Sequence, residues 1–149
     1  MEELEDTKEI CVDTDILIDF LKKKEPGSST YKQWRKKSSV GITSITAFEL
    51  LMGVRLPGYS KNEKRFEEVQ SLIDQQDTVY SFDRNTADVA SEVESELRGT
   101  GKTIDFRDLF NASICISRKV PILTRNKAHY QRVRALQILD IQSRNQLDC

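Results

Sequence analysis

Short apolar runs alternate with longer amphipathic stretches along this chain. Ile10-Cys11-Val12 is a compact apolar run that stops at Asp13-Thr14-Asp15, and apolar residues resume at 16, 17, 18, 20 and 21. The first pattern fits a buried strand and the second the inward side of a helix over about 15–24. A polar loop from Lys22 to Ser29 follows. Ser29 opens a second helix, with Tyr31, Trp34 and Arg35 at helical spacing and Arg35-Lys36-Lys37 at its end. Val40-Gly41-Ile42-Thr43 reads as a second strand, and Ser44 to Met52 as a helix with Thr46 and Glu49 at capping-box spacing. In that helix Phe48, Leu51, Met52 and Val54 read as core or dimer-interface positions. Leu56-Pro57-Gly58-Tyr59-Ser60 breaks it, and residues 61–75 form a charged amphipathic helix with Phe66, Val69, Leu72 and Ile73 inward. Thr78 to Phe82 is a third strand. Asp83 caps a helix to about Arg98, which Gly99-Thr100-Gly101 ends. A helix begins at Asp105 or Phe106 and keeps 105, 108, 111, 112 and 115 on adjoining parts of one face. Val120 to Asn126 is a buried strand with a polar end, 127–132 a short helix, and Gln137 to Ile141 an edge strand.

Strands alternating with helices through short connections predict an α/β fold, a three-layer α/β/α domain around a mostly parallel sheet of four to five strands. One domain over 1–149 is expected, with a core at about 10–141 and polar termini at 1–9 and 142–149. In such sheets, ligands gather outside the carboxyl ends of the strands. Asp13, Glu49, Asp108 and Asn126 each fall just after a strand or in the first turn of a helix. Each also has a purely structural explanation. Asp13, Asp105 and Asn126 are suitable helix caps, Asp108 suits a helix dipole, and Glu49 completes the capping box.

Composition decides which chemistry such an edge supports. Hydrophobic residues make up 38% and charged residues 32%, which fits a folded domain with a heavily charged surface. Lys+Arg 23 against Asp+Glu 24 leaves a net charge of −1, so bulk positive charge does not hold this chain to nucleic acid, though local basic patches remain open. Met1 to Glu9 is polar and acidic, and no apolar stretch is long enough to span a membrane, so a cytoplasmic protein is expected. Cys11 and Cys115 lie in apolar runs, Cys149 is terminal, and no CxxC pair indicates zinc or a disulfide framework. His129 is the only histidine, which excludes catalysis by a histidine pair. Carboxylates therefore carry the chemistry. Three of them at one edge repel each other unless a hard cation intervenes, and an all-oxygen set suits Mg²⁺ or Mn²⁺. Metal-assisted hydrolysis of a phosphoryl ester is the reaction such a site performs. Asn126 is either a helix cap or a holder of water.

Four segments in this order resemble PIN-domain ribonucleases, in particular the VapC-type toxins of prokaryotic toxin–antitoxin pairs. They are Val12-Asp13-Thr14-Asp15-Ile16-Leu17-Ile18-Asp19, Thr43-Ser44-Ile45-Thr46-Ala47-Phe48-Glu49-Leu50, Gly101 with Ile104 and Asp108, and Leu123-Thr124-Arg125-Asn126. The chain departs from the family pattern in three places. Asp15 stands where Asn is frequent, Phe110-Asn111-Ala112 replaces a more apolar run, and Asn126 stands where many relatives have Asp. The resemblance implies that Asp13, Glu49 and Asp108 bind Mg²⁺ or Mn²⁺ and that Asn126 assists them. Thr14, Asp15, Ser44, Asp105, Thr124 and Arg125 would be auxiliary, with hydroxyls of Thr14, Ser44 or Thr124 on carboxylate or phosphate. It implies an endoribonuclease that leaves a 5′-phosphate through a metal-activated water, a homodimer, and a cognate antitoxin. Two other readings stand beside it: a PIN-like RNA- or protein-binding module with weak catalysis, and a haloacid-dehalogenase-type phosphatase with Asp13 as nucleophile. Leu17 does not fit the phosphatase pattern.

Overall fold

Five strands run parallel through the computed structural model, which describes residues 8–56 and 63–141. They are β1 (Glu9–Val12), β2 (Ser39–Thr43), β3 (Thr78–Tyr80), β4 (Ile122–Thr124) and β5 (Ile138–Asp140), in the order β3-β2-β1-β4-β5. Ile10 pairs with Val40 on one side of β1, and Cys11 with Ile122 on the other. Alternation sorts the side chains between two cores. Ile10, Val12, Val40, Ile42, Leu123 and Leu139 point to one face. There they meet α1 (Thr14–Lys22), α2 (Gly27–Lys37), α3 (Ser44–Arg55) and α4 (Glu63–Asp74). Cys11, Tyr80 and Ile122 point to the other, against α5 (Arg84–Gly99), α6 (Phe106–Arg118) and α7 (Lys127–Tyr130). This is the expected three-layer arrangement.

The sequence of β2 suits a strand buried on both faces, except that one position carries no side chain. At Gly41 a Cβ would come within 2.7 Å of both the Tyr80 ring and the Thr78 carbonyl, so glycine lets Tyr80 lie across the sheet. The chain steps outward from β1 to β3, then returns to the far side of β1 for β4 and β5. That reversal opens a crevice at the carboxyl ends of β1 and β4.

Some boundaries differ from the sequence-based expectation. α2 begins at Gly27 and not Ser29, β3 ends at Tyr80 and not Phe82, and α7 stops at Tyr130. Glu9, expected in a polar terminus, opens β1 opposite Ser39. Phe48, expected in a core or dimer interface, is exposed on this chain, while Leu50 beside it is buried. The helix break at 57–60, most of the segment 1–9 and the segment 142–149 lie outside the described residues.

Candidate active site

The crevice is built from three helix beginnings. Asp13 extends the sheet by one bond, its N–H donating to the Leu123 carbonyl at 2.9 Å. Its side chain then caps α1, Oδ1 accepting from the Thr14 N–H at 2.9 Å and Oδ2 from the Thr124 hydroxyl at 2.8 Å. Only 7% of the residue is exposed. Burial pushes its carboxyl up to about 7, the negative charge of Asp15 and then that of Asp108 adding to the effect against the two hydrogen bonds. Asp15 is also raised by burial, against the charge of Arg125. Its Oδ2 accepts from the Arg125 N–H at 3.2 Å, while Oδ1 is buried without a hydrogen-bond partner.

The capping box expected of Thr46 and Glu49 does not form. The cap of α3 is Thr43, whose hydroxyl accepts from the Thr46 N–H at 3.0 Å, which moves Glu49 into the second turn. Glu49 is therefore released from capping. Its Oε1 accepts from the Thr14 hydroxyl at 3.1 Å, and its Oε2 lies 3.6 Å from Arg107 Nη1. Burial raises its carboxyl, opposed by Thr14 and Arg107 and reinforced by the charge of Asp108. Thr14 thus joins two acids from separate segments, binding Asp13 through its N–H and Glu49 through its hydroxyl.

Asp105 caps α6 by accepting from the Arg107 N–H at 2.9 Å, and it is exposed. Asp108 follows in the first turn and faces inward. Its Oδ1 accepts from the Tyr130 hydroxyl at 3.3 Å, and its Oδ2 lies 3.5 Å from His129 Nδ1. Behind the acids runs a buried polar chain. Thr46 Oγ1 stands 3.0 Å from that of Thr14 and 3.3 Å from that of Thr43. Thr43 donates to Asn111 Oδ1 at 2.6 Å, and Asn111 Nδ2 reaches Tyr130 Oη at 3.5 Å. With Thr14 donating to Glu49 and Thr43 to Asn111, the single Thr46 proton serves one neighbour at a time, and Glu49 and Asp108 are the two ends of this polar path. Burial and the charges of Asp13 and Asp108 hold the Tyr130 phenol well above its ordinary value, so it remains a donor.

Other candidates make contacts of their own around the acids. The Ser44 hydroxyl accepts from the Phe82 N–H at 3.3 Å, which ties β3 to α3. Arg125 Nε pairs with the buried Asp19 at 3.0 Å. Asn126 precedes α7 without capping it through its side chain, and its N–H donates to the Thr124 hydroxyl at 2.9 Å. The residues that sequence reasoning missed are Thr43, Thr46, Asn111, Tyr130, Arg107 and His129. Thr43 and Thr46 carried a signal, because their spacing is that of an N-cap and the residue whose amide it binds.

Among the described residues, no three Asp, Glu, His or Cys side chains form a ready-made shell for one ion. The donor chemistry nonetheless fits a hard cation. The groups on this edge are carboxylate and hydroxyl oxygens, Asp13 and Glu49 are held above their ordinary proton affinity, and Asp15 Oδ1 is a buried orphan.

The profile of the PIN-domain family matches residues 10–136. The chain is 29% identical over 132 residues to ribonuclease VapC1 of Methanocaldococcus jannaschii, covering 89% of this chain and 85% of that one. It shares the fold of a protein in the VapBC2 complex of Rickettsia felis bound to a DNA fragment from their promoter. There the TM-score is 0.76 at 21% identity, with 89% of this chain and 98% of the other covered. It also shares the fold of a chain of VapBC-5 from Mycobacterium tuberculosis, a member of the VapBC family of toxin–antitoxin systems. That match has a TM-score of 0.67 at 20% identity and covers 89% and 98% of the two chains.

Proposed function

The chain belongs to the PIN-domain family, and from that premise we propose that it is a Mg²⁺- or Mn²⁺-dependent endoribonuclease, the toxin of a toxin–antitoxin pair in the cytoplasm. The observation that carries this reading is the shared electrostatics of the acids. Asp13 and Glu49 come from different segments, both are raised by burial, and both are raised further by the charge of Asp108. Carboxylates that raise one another's proton affinity at a partly buried edge are tolerable when a cation compensates them. The ribonuclease named among its relatives supports an RNA substrate, and the VapBC complexes support an antitoxin partner; a homodimer belongs to the proposal. No described helix is long and apolar enough to cross a membrane.

In this proposal Asp13, Glu49 and Asp108 hold the cation, and Asn126 assists at the rim. When bound, the cation polarises the phosphodiester and favours deprotonation of water. The protein's own residues do the rest. Thr124 and the Thr14 amide orient Asp13, the Thr14 hydroxyl orients Glu49, and Tyr130 orients Asp108. Arg107 supplies positive charge beside Glu49, where an entering phosphate meets it. Hydrolysis forms a bond from water oxygen to phosphorus and breaks the bond to the 3′-oxygen, leaving a 3′-hydroxyl and a 5′-phosphate.

Asp13→Asn and Asp108→Asn test the reading. Each is expected to lower Mn²⁺-dependent cleavage of RNA by about a thousandfold, roughly 4 kcal/mol of barrier, with an unchanged circular-dichroism spectrum. Cleavage at the parent rate in both variants would falsify the assignment.

A further inference from the structure

Two hollows beyond the acids share one residue, Arg132. The nearer, of about 120 Å³, is bounded by Asp108, His129, Thr103 and Arg132. The farther, of about 270 Å³, lies between α5 and the segment after α7. Its floor includes the buried Val93, Leu97 and Val133, and its rim includes the exposed Lys102, Arg132 and Arg134 with one acid, Glu96, among them. Arg132 is fixed at the junction, its Nη1 donating to the Thr103 carbonyl at 2.5 Å. Arg134 is only loosely engaged, 4.0 Å from Glu96. An apolar floor under a cationic rim is unusual on a chain whose net charge is −1. It is complementary to a ligand that pairs a flat apolar body with phosphate.

We infer that this farther hollow receives one nucleotide of the single-stranded RNA whose neighbouring phosphodiester lies at Asp108. The base rests on Val93, Leu97 and Val133, and the flanking phosphates meet Lys102 and Arg134. The inference rests on the ribonuclease reading. It extends that reading by assigning the path of the strand across the loop between α5 and α6. Rim cations release condensed counterions when they meet phosphates. The pocket therefore adds affinity without adding a group to the reaction.

Anisotropy of a labelled, unstructured RNA of about ten nucleotides tests this, with EDTA present so that binding is read without cleavage. Lys102→Ala with Arg134→Ala removes the rim while leaving Arg132 on Thr103. Ala135→Trp fills the hollow from its exposed wall. Both are expected to raise Kd about tenfold. The double variant should also lower the salt slope by about 1.4, two phosphate contacts at roughly 0.7 each. Lys36→Ala with Lys37→Ala, on the opposite layer, should leave Kd unchanged. Unaltered Kd in the rim and filling variants overturns the inference, as does an equal loss in the Lys36/Lys37 control. Parent cleavage with Mn²⁺, read separately, distinguishes the two levels. RNA that binds in the pocket yet is never cut refutes the ribonuclease reading and leaves the pocket. RNA that is cut equally well, with Kd indifferent to the variants, does the reverse.

Discussion

The carboxyl of Asp13 loses its water on folding and gains Asp15 as a like-charged neighbour, and its proton affinity climbs from the ordinary 3.8 to about 7. Between those values the folded chain binds a proton that the unfolded chain does not. Stability must therefore fall as pH rises through that window, and it stays low above it. Glu49 and Asp15 are raised as well and act in the same direction. For the metal-free protein, the urea midpoint at pH 8 is expected below that at pH 5. Asp13→Asn keeps an acceptor for Thr124 but carries no charge, so it should gain on the order of 4 kcal/mol over the parent at pH 8 and on the order of 1.5 kcal/mol at pH 5. A variant that declines with pH as steeply as the parent would remove Asp13 as the source. Glu49 permits a separate test because Thr43, not Glu49, caps α3. Glu49→Gln retains an oxygen for Thr14 and loses only charge. It should raise the thermal midpoint of the metal-free protein at pH 8 and abolish Mn²⁺-dependent cleavage, whereas full activity would return Glu49 to a structural role.

At the scale of elements, the path Thr14–Thr46–Thr43–Asn111–Tyr130 couples the starts of α1, α3 and α6 to the end of α7. Tyr130→Phe keeps the buried ring and deletes the hydroxyl between Asn111 and Asp108. The expected cost is about 1–2 kcal/mol of stability, since a buried amide loses a partner. Mn²⁺ affinity, read by titration, should weaken by about 10- to 100-fold, as for other groups that orient ligands. Thr43→Ser should behave as the parent, while Thr43→Val should lose both the α3 cap and the bond to Asn111. If Tyr130→Phe binds Mn²⁺ as tightly as the parent, the path is packing only. These elements also mark how far the sequence was readable. Asp13, Glu49 and Asp108 stood out because a carboxylate after an apolar run is conspicuous. Four of the five strands stood out as short runs with inward-facing Val, Ile or Leu, while β3 buries Tyr80 and leaves Val79 exposed. Asn111 and Tyr130 did not stand out, because hydrogen bonding between residues 43, 111 and 130 depends on the packing of α6 over the sheet and not on local spacing. The helix cap was misplaced because Thr46–Glu49 and Thr43–Thr46 present the same interval, and the start of the helix decided between them. His129 was set aside for want of a second histidine, although the position of α7 brings it to Asp108.

For the whole molecule, the reversal of strand order between β3 and β4 brings three acids, from segments up to about 95 residues apart, to one edge of the sheet. Folding thus concentrates negative charge that the unfolded chain disperses, and a bound cation offsets this in the folded state alone. At about a hundred times its dissociation constant, Mn²⁺ should stabilise the fold by roughly 2.7 kcal/mol. For a domain of this size that raises the thermal midpoint by about 5–10 °C. The size of the shift should depend on pH, because protons compete with the cation for Asp13. The shift is expected to be large at pH 8, small at pH 5, and lost in Asp108→Asn at both. Calorimetry with Mn²⁺ and with EDTA at the two pH values measures it. Equal shifts at pH 5 and pH 8, or a shift that survives in Asp108→Asn, would locate the cation elsewhere on the surface. Two acids outside the site, Asp83 and Glu94, make poor competitors for that role. Asp83 already pairs with Arg118 and Glu94 with Arg98, so a cation there would first have to displace an arginine that the protein itself supplies.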